Sequence, residues 1–172
     1  MENTHYDPEL IHRRRLIING VIVFIIIACV IYGWIWATHY HRTSTSQQQT
    51  LMASNEPVVV VFYSKTCPDC KRVASTVNRS AISGRITGEI RNLTGDSSKK
   101  HQVMFLEYQN KHDRELFTKY NVSKTPTFMV LKQGQSQVIK NTNGILSYQY
   151  SGNNVKEIKN IYHNLQVDPL LK

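Results

Sequence analysis

Cysteine is scarce in this chain, with three residues among 172. Domains held by a disulfide framework are small and cysteine-dense, so that class is excluded. Five prolines and eight glycines likewise exclude collagen-like and low-complexity sequence. Acidic residues are also few, 12 against 21 Lys and Arg, which leaves a formal charge of +9. Hydrophobic residues nevertheless make up 41%, enough to bury a core, so the chain is not globally disordered. A length of 172 residues is one ordinary domain of about 100–150 residues plus a further segment.

Charge is missing altogether from Leu16 to Ala37, LIINGVIVFIIIACVIYGWIWA. As a helix that run spans about 33 Å, enough to cross a hydrocarbon core of about 30 Å. Trp34 and Trp36 are the amphipathic aromatics expected at a membrane–water boundary. Arg13, Arg14 and Arg15 abut the N-terminal end, whereas only Arg42 lies close beyond the other. Because the positive-inside rule counts Lys and Arg, it places residues 1–15 in the cytoplasm and 38–172 outside the cell membrane. Two other readings share that outcome. One is a cleaved signal peptide, which needs a shorter apolar stretch. The other is a lipid anchor on Cys29 after Ile26-Ile27-Ala28, although Val30 to Ala37 stays apolar where such signals turn polar.

Residues 38–50 are rich in Ser, Thr and Gln with no apolar period, and read as a polar tether. The folded domain is then expected over 51–172. The three arginines and three acids of the tail cancel, so the part beyond it carries the whole +9. A basic domain beside a membrane is drawn to anionic surfaces. No aromatic residues are interleaved with the charges, so nucleic acid is not an expected partner.

Val58-Val59-Val60-Val61-Phe62-Tyr63 is a continuous apolar, β-branched run and reads as a strand buried on both faces. A helix should follow, burying Val73, Ala74, Val77, Ala81 and Ile82, until Gly84 and Gly88 interrupt it. Residues 96–100 read as an exposed loop. Val103–Leu106 is a second strand, 113–120 a helix burying Leu116, Phe117 and Tyr120, and Thr127–Leu131 a third strand. A turn at 132–135 leads to an antiparallel strand over 136–139, and Tyr148 and Tyr150 alternate with polar residues as in a further strand. The last helix is capped by Asn153 or Asn154 and carries Val155, Ile158, Ile161, Tyr162 and Leu165 on one face. Asp168-Pro169 ends it. The order β-α-β-α-β-β-α demands early parallel pairing and a late hairpin: an α/β domain with a mixed central sheet flanked by helices.

Cys67-Pro68-Asp69-Cys70 stands at the first strand-to-helix junction. There the first sulfur meets unpaired backbone N–H groups and the positive end of the helix dipole, both of which favour the attacking thiolate. The second thiol lies one turn on, placed to resolve a mixed disulfide. Cys67 is the expected attacker and Cys70 the buried resolver. A zinc site would need further ligands, and no second CxxC or HxxxH is present; His101, His112 and His163 are scattered. A purely structural disulfide would close a four-residue loop and remove little chain entropy. Asp69 should raise the Cys67 pKa, while Lys65, Lys71 and Arg72 oppose it. Neither a cofactor nor a metal is called for.

Phe62 through Cys70 resembles the active-site entry of the thioredoxin superfamily, and Thr125-Pro126-Thr127-Phe128 resembles its second hallmark. The likeness covers roughly residues 52–165. It implies a thioredoxin fold, with Pro126 in cis packed against the disulfide and Thr125 pairing with an extended substrate chain beside Cys67. The anchor-then-domain order is similar to Gram-positive thioredoxin-like proteins, including the bacteriocin transport accessory type. Three departures stand out. Val61 occupies a position where many members carry a buried acid, Thr66 replaces a common Trp, and 84–100 looks like an insertion. The pattern also lacks the extra N-terminal strand of full thioredoxins.

The expected function is thiol–disulfide exchange on exported proteins, making or reshuffling disulfides, with an unidentified redox partner recharging the pair. The alternative is a non-catalytic docking module of a secretion, bacteriocin or conjugation system.

Overall fold

The computed structural model describes residues 8–93 and 102–167 and divides into two compact units, 1–36 and 37–172. The first unit is almost wholly one helix, α1 (Pro8–Thr38). Its segment Arg13–Ile35 is long and apolar enough to cross a membrane, and none of it is buried by protein. By length and composition this helix is a candidate membrane span, a description that an N-terminal signal sequence also meets.

The second unit is a mixed sheet flanked by helices and built on β1 (Val58–Tyr63). All six of its residues are buried, which is why the run shows no polar alternation. It pairs in parallel with β2 (Gln102–Glu107) and antiparallel with β3 (Thr127–Lys132). β4 (Gln135–Gln137) and β7 (Tyr150–Ser151) both pair with β3, and β5 (Ile139–Lys140) with β6 (Leu146–Ser147) forms a separate hairpin. Strand period two then divides the core between two faces. Val59 and Val61 meet Val73, Val77 and Ala81 of α3 (Pro68–Leu93) and Ile158, Ile161 and Leu165 of α5 (Val155–Val167). Val58, Val60 and Phe62 meet Phe117 of α4 (Lys111–Lys119), with Leu51 and Met52 of α2 (Thr45–Met52) packed alongside.

The tether expected over 38–50 is corrected. Residues 45–52 form α2, and the chain before it is stitched to the sheet. The Thr43 N–H donates to the Phe105 carbonyl at 3.1 Å, and the Phe105 N–H donates to Thr43 Oγ1 at 2.9 Å. Arg42 Nε and Nη2 donate to the two oxygens of Asp113 at 2.9 and 2.7 Å. Gln48 Nε2 donates to the same carboxylate at 2.9 Å, as does the Glu107 N–H at 2.8 Å. Asp113 is fully buried, and these four donors satisfy it. The segment is thus held by one buried carboxylate and by its bonds to β2, with Tyr40, Leu51 and Met52 packed against the core on either side. The folded unit accordingly starts near Ala37, not at 51.

Two further expectations change. Helix α3 runs on through Gly84 and Gly88 to Leu93, so 84–93 is helix rather than an interruption or loop. Val155 is exposed at the start of α5, although Ile158, Ile161, Tyr162 and Leu165 are buried as the periodicity indicated. α5 is entered through Asn154, whose Oδ1 accepts from the Lys156 N–H at 2.9 Å. The loop at 96–100, His101 and the Asp168-Pro169 stop lie outside the described residues.

Candidate functional site

The site sits where β1 ends and α3 begins. Pro68 is the first residue of α3, a position where its missing N–H costs nothing and its fixed φ suits a helix. Cys67 is therefore the residue that caps the helix: its carbonyl accepts from Lys71 N–H at 3.2 Å, and its Sγ accepts from Cys70 N–H at 3.3 Å. A capping oxygen is the usual acceptor for that donor; here a sulfur takes the role. The Cys67 thiol in turn points to the Thr125 carbonyl at 3.3 Å. The Thr125–Pro126 bond is cis, and Pro126 is buried. The Pro126 carbonyl accepts from Gly152 N–H at 3.0 Å, and the Thr127 and Ser151 hydroxyls meet at 2.6 Å, so this corner is fixed from both sides.

Cys67 is half-buried and Cys70 fully buried, and both are thiols. Burial pushes the Cys67 thiol up. Hydrogen bonds from the side chains of Cys70 and Thr125 and from the N–H groups of Cys70 and Asp69 outweigh it, so its pKa falls below the ordinary value. Burial, then the hydrogen bond to Cys67, pushes Cys70 up to about 12. The two sulfurs are thereby separated into a thiolate-prone attacker and a proton-holding resolver.

The flanking charges act differently from the expectation. Lys65 Nζ is paired with Glu107 Oε1 at 2.9 Å, and Arg72 with Asp69 Oδ1 at 3.3 Å. Asp69 Oδ1 also accepts from Asn153 Nδ2 at 2.7 Å. These charges offset one another, so hydrogen bonding at the helix start rather than the lysines and Arg72 governs Cys67. Sequence reasoning named Asn153 only as a helix cap and missed its bond to Asp69, 84 positions away. It also missed Gln109, whose Nε2 donates to Ser64 Oγ at 2.7 Å and whose Oε1 accepts from Lys65 N–H at 3.3 Å, bracing the loop. No spacing motif marks either residue. Among the described residues no three His, Cys, Asp or Glu side chains gather as a metal site.

A family model described as Thioredoxin matches residues 38–156. A "Thioredoxin-like protein" of Fusarium culmorum is 27% identical over 100 residues, covering 58% of this chain and 72% of the relative. Among solved structures, the oxidised thioredoxin of Plasmodium falciparum is similar at a TM-score of 0.50 and 20% identity, covering 72% of this chain and 94% of that one. The Malassezia sympodialis thioredoxin reaches 0.51 at 15% identity, covering 75% and 100%. The family match begins at residue 38, close to where the folded unit begins.

Proposed function

This chain belongs to the thioredoxin family, and on that footing we propose that it is a membrane-anchored thiol–disulfide oxidoreductase working on exported proteins. One observation carries the reading: a half-buried, hydrogen-bonded Cys67 at the start of α3, with a buried Cys70 one turn behind it. The Cys67 thiolate attacks a substrate disulfide and forms a mixed disulfide. Cys70 then attacks Cys67, a Cys67–Cys70 disulfide forms, and the substrate leaves as a thiol; the reverse sequence donates a disulfide. Thr125 lies against Cys67, where its backbone would hold an extended substrate strand, and Pro126 fixes that corner.

Residues 1–15 are assigned to the cytoplasm and the folded unit to the outer face, on the strength of Arg13, Arg14 and Arg15 before the apolar helix. That arrangement is also what the likeness to Gram-positive membrane-anchored proteins, the bacteriocin transport accessory type among them, rests on. Outside the membrane, forming or reshuffling disulfides needs only a redox partner to restore the pair. Cys70→Ser should trap mixed disulfides with exported proteins, and Cys67→Ser should trap none; equal trapping by both would sink the assignment.

A docking module is the second reading, favoured by Ile145, Leu146 and Tyr148, which are each more than 60% exposed at or just beyond the β5–β6 hairpin. Biological function surviving serine at both Cys67 and Cys70 would select it.

A further inference from the structure

Neighbouring parallel strands finish at the same edge of a sheet, and here that edge carries the chemistry. Tyr63 ends β1 opposite Glu107 at the end of β2, so the segments 64–67 and 108–110 leave the sheet side by side. The first delivers Cys67 to the start of α3, and the second leads into α4, which Asn110 caps. The Tyr108 N–H donates to the Tyr63 carbonyl at 2.9 Å and keeps the two together.

Residues 64–67 form a single turn. The Cys67 N–H donates to the Ser64 carbonyl at 3.3 Å, and Ser64 Oγ accepts from the Thr66 N–H at 3.3 Å. Serine suits the first position of such a turn because its hydroxyl reaches the N–H two residues on. Gln109 closes the arrangement from outside. Its Nε2 donates to Ser64 Oγ at 2.7 Å and to Thr66 Oγ1 at 3.3 Å, and its Oε1 accepts from the Lys65 N–H at 3.3 Å. Both lone pairs of the Ser64 hydroxyl are then taken, and its hydrogen is left for Thr66 Oγ1 at 3.0 Å. Ser64 is buried, whereas Gln109 is exposed. One side-chain amide thus ties three successive residues, and the next is Cys67.

The Cys67 sulfur has to lie between the Cys70 N–H and the Thr125 carbonyl, each 3.3 Å away. Hydrogen bonds weaken steeply with misalignment, so a turn free to swing would take the sulfur off the donor that favours its thiolate. The Ser64 backbone is also hydrogen-bonded to Cys70, so this one residue adjoins both thiols.

We propose that Ser64 and Gln109 are positioning residues that act as a unit on Cys67, fixing the turn that holds its sulfur against the Cys70 N–H. Neither touches a substrate. Their part in the reaction rests on the exchange reading above, but the placement of the sulfur is measurable without a substrate.

The test uses the reduced full chain in detergent with Cys29→Ala, and follows alkylation of Cys67 by iodoacetamide from pH 5 to pH 10. The pH midpoint reads the thiolate, and the plateau rate at high pH reads access to it. Gln109→Ala, at the surface and outside the core, is compared with Ser64→Ala and with the double variant. The Lys65–Glu107 and Arg72–Asp69 pairs, Cys70 and Tyr40, which act near the thiol, are unaltered in all three. Each single variant should raise the midpoint by about 0.3–1 unit, the roughly twofold to tenfold change expected for a neutral hydrogen bond, with plateaus within about twofold. The double variant should match the larger single shift, because the two residues share one interaction. Equilibrium with glutathione should move toward the Cys67–Cys70 disulfide by up to the same factor, since the reduced form loses thiolate stabilisation.

An unchanged midpoint in Gln109→Ala overturns the inference. A double variant whose shift is the sum of the single shifts also overturns it, because the residues would then act independently. So does a lowered plateau at an unchanged midpoint, which would mark altered access alone. The expected shifts in a pair that never equilibrates with glutathione would uphold the positioning and overturn the exchange reading instead.

Discussion

The Cys70 N–H donates to Cys67 Sγ at 3.3 Å, so the attacking sulfur is held by the backbone of the residue that will resolve it. Positioning and activation are then one interaction. The bond that keeps Cys67 at the start of α3 also favours its thiolate, while the Cys70 side chain stays buried and protonated.

That asymmetry should appear in alkylation. Iodoacetamide should modify Cys67 with a pH midpoint below the ordinary thiol value of about 8.5, while Cys70 stays unreactive at neutral pH in the folded state. Mass spectrometry of peptides alkylated between pH 5 and pH 9 reads both. Comparable labelling of the two cysteines would count against the assigned roles.

The segment once expected to be a tether should be needed for stability. Arg42→Ala leaves the buried Asp113 carboxylate without its bidentate partner. A loss of about 3 kcal/mol is expected, at the low end for breaking a buried pair, because Gln48 and the Glu107 N–H still donate. Urea unfolding of residues 37–172 measures it. A fragment starting at 51 should unfold at lower urea than one starting at 37, whereas matching midpoints would restore the tether.

Stability of the reduced domain should pass through a maximum with pH. Cys67, depressed in the fold, contributes stability that is present above the ordinary thiol value and lost as pH falls through its folded value. Cys70, Tyr40, Tyr63 and Tyr162 are all raised. The unfolded chain releases those protons first, near about pH 9–10, so stability falls from there upward. Oxidising the pair removes the thiol contributions and leaves those of the tyrosines. Urea midpoints of both redox forms from pH 6 to pH 11 test the sign; a steady rise in the reduced form would refute it.

Asp69→Asn should move the reduction potential little. Arg72 and Asn153 already engage the carboxylate, and half of its side chain is exposed, so a shift under about 20 mV is expected. A shift of 60 mV or more would mean that Asp69 acts directly on Cys67, to be read by equilibrating the variant with glutathione.

Much of this site is local and therefore legible in the sequence. The all-apolar β1, the cysteine pair at the start of α3 and Thr125-Pro126 before β3 each lie within a few consecutive residues. What escaped depends on partners far apart in the chain. Ser44-Thr45-Ser46-Gln47 carries a helix-start signal, with Ser44 Oγ accepting from Gln47 N–H at 3.5 Å. Its polar helix is nevertheless secured by Asp113, 65 residues beyond Gln48. Gly84 and Gly88 each cost a helix about 1 kcal/mol relative to Ala, a penalty that α3 tolerates. Tyr40 looks like one more residue of a polar stretch until the fold packs it, partly buried, against Tyr63 and Phe105.

The most direct measurement is a redox titration of the Cys67–Cys70 couple in the full chain against glutathione, with Cys29→Ala. A reversible two-electron transition between about −120 and −270 mV is expected, and a value toward −120 to −180 mV would place it with disulfide donors and isomerases. Cysteines that stay fully reduced or fully oxidised at every glutathione ratio would contradict an exchanging pair.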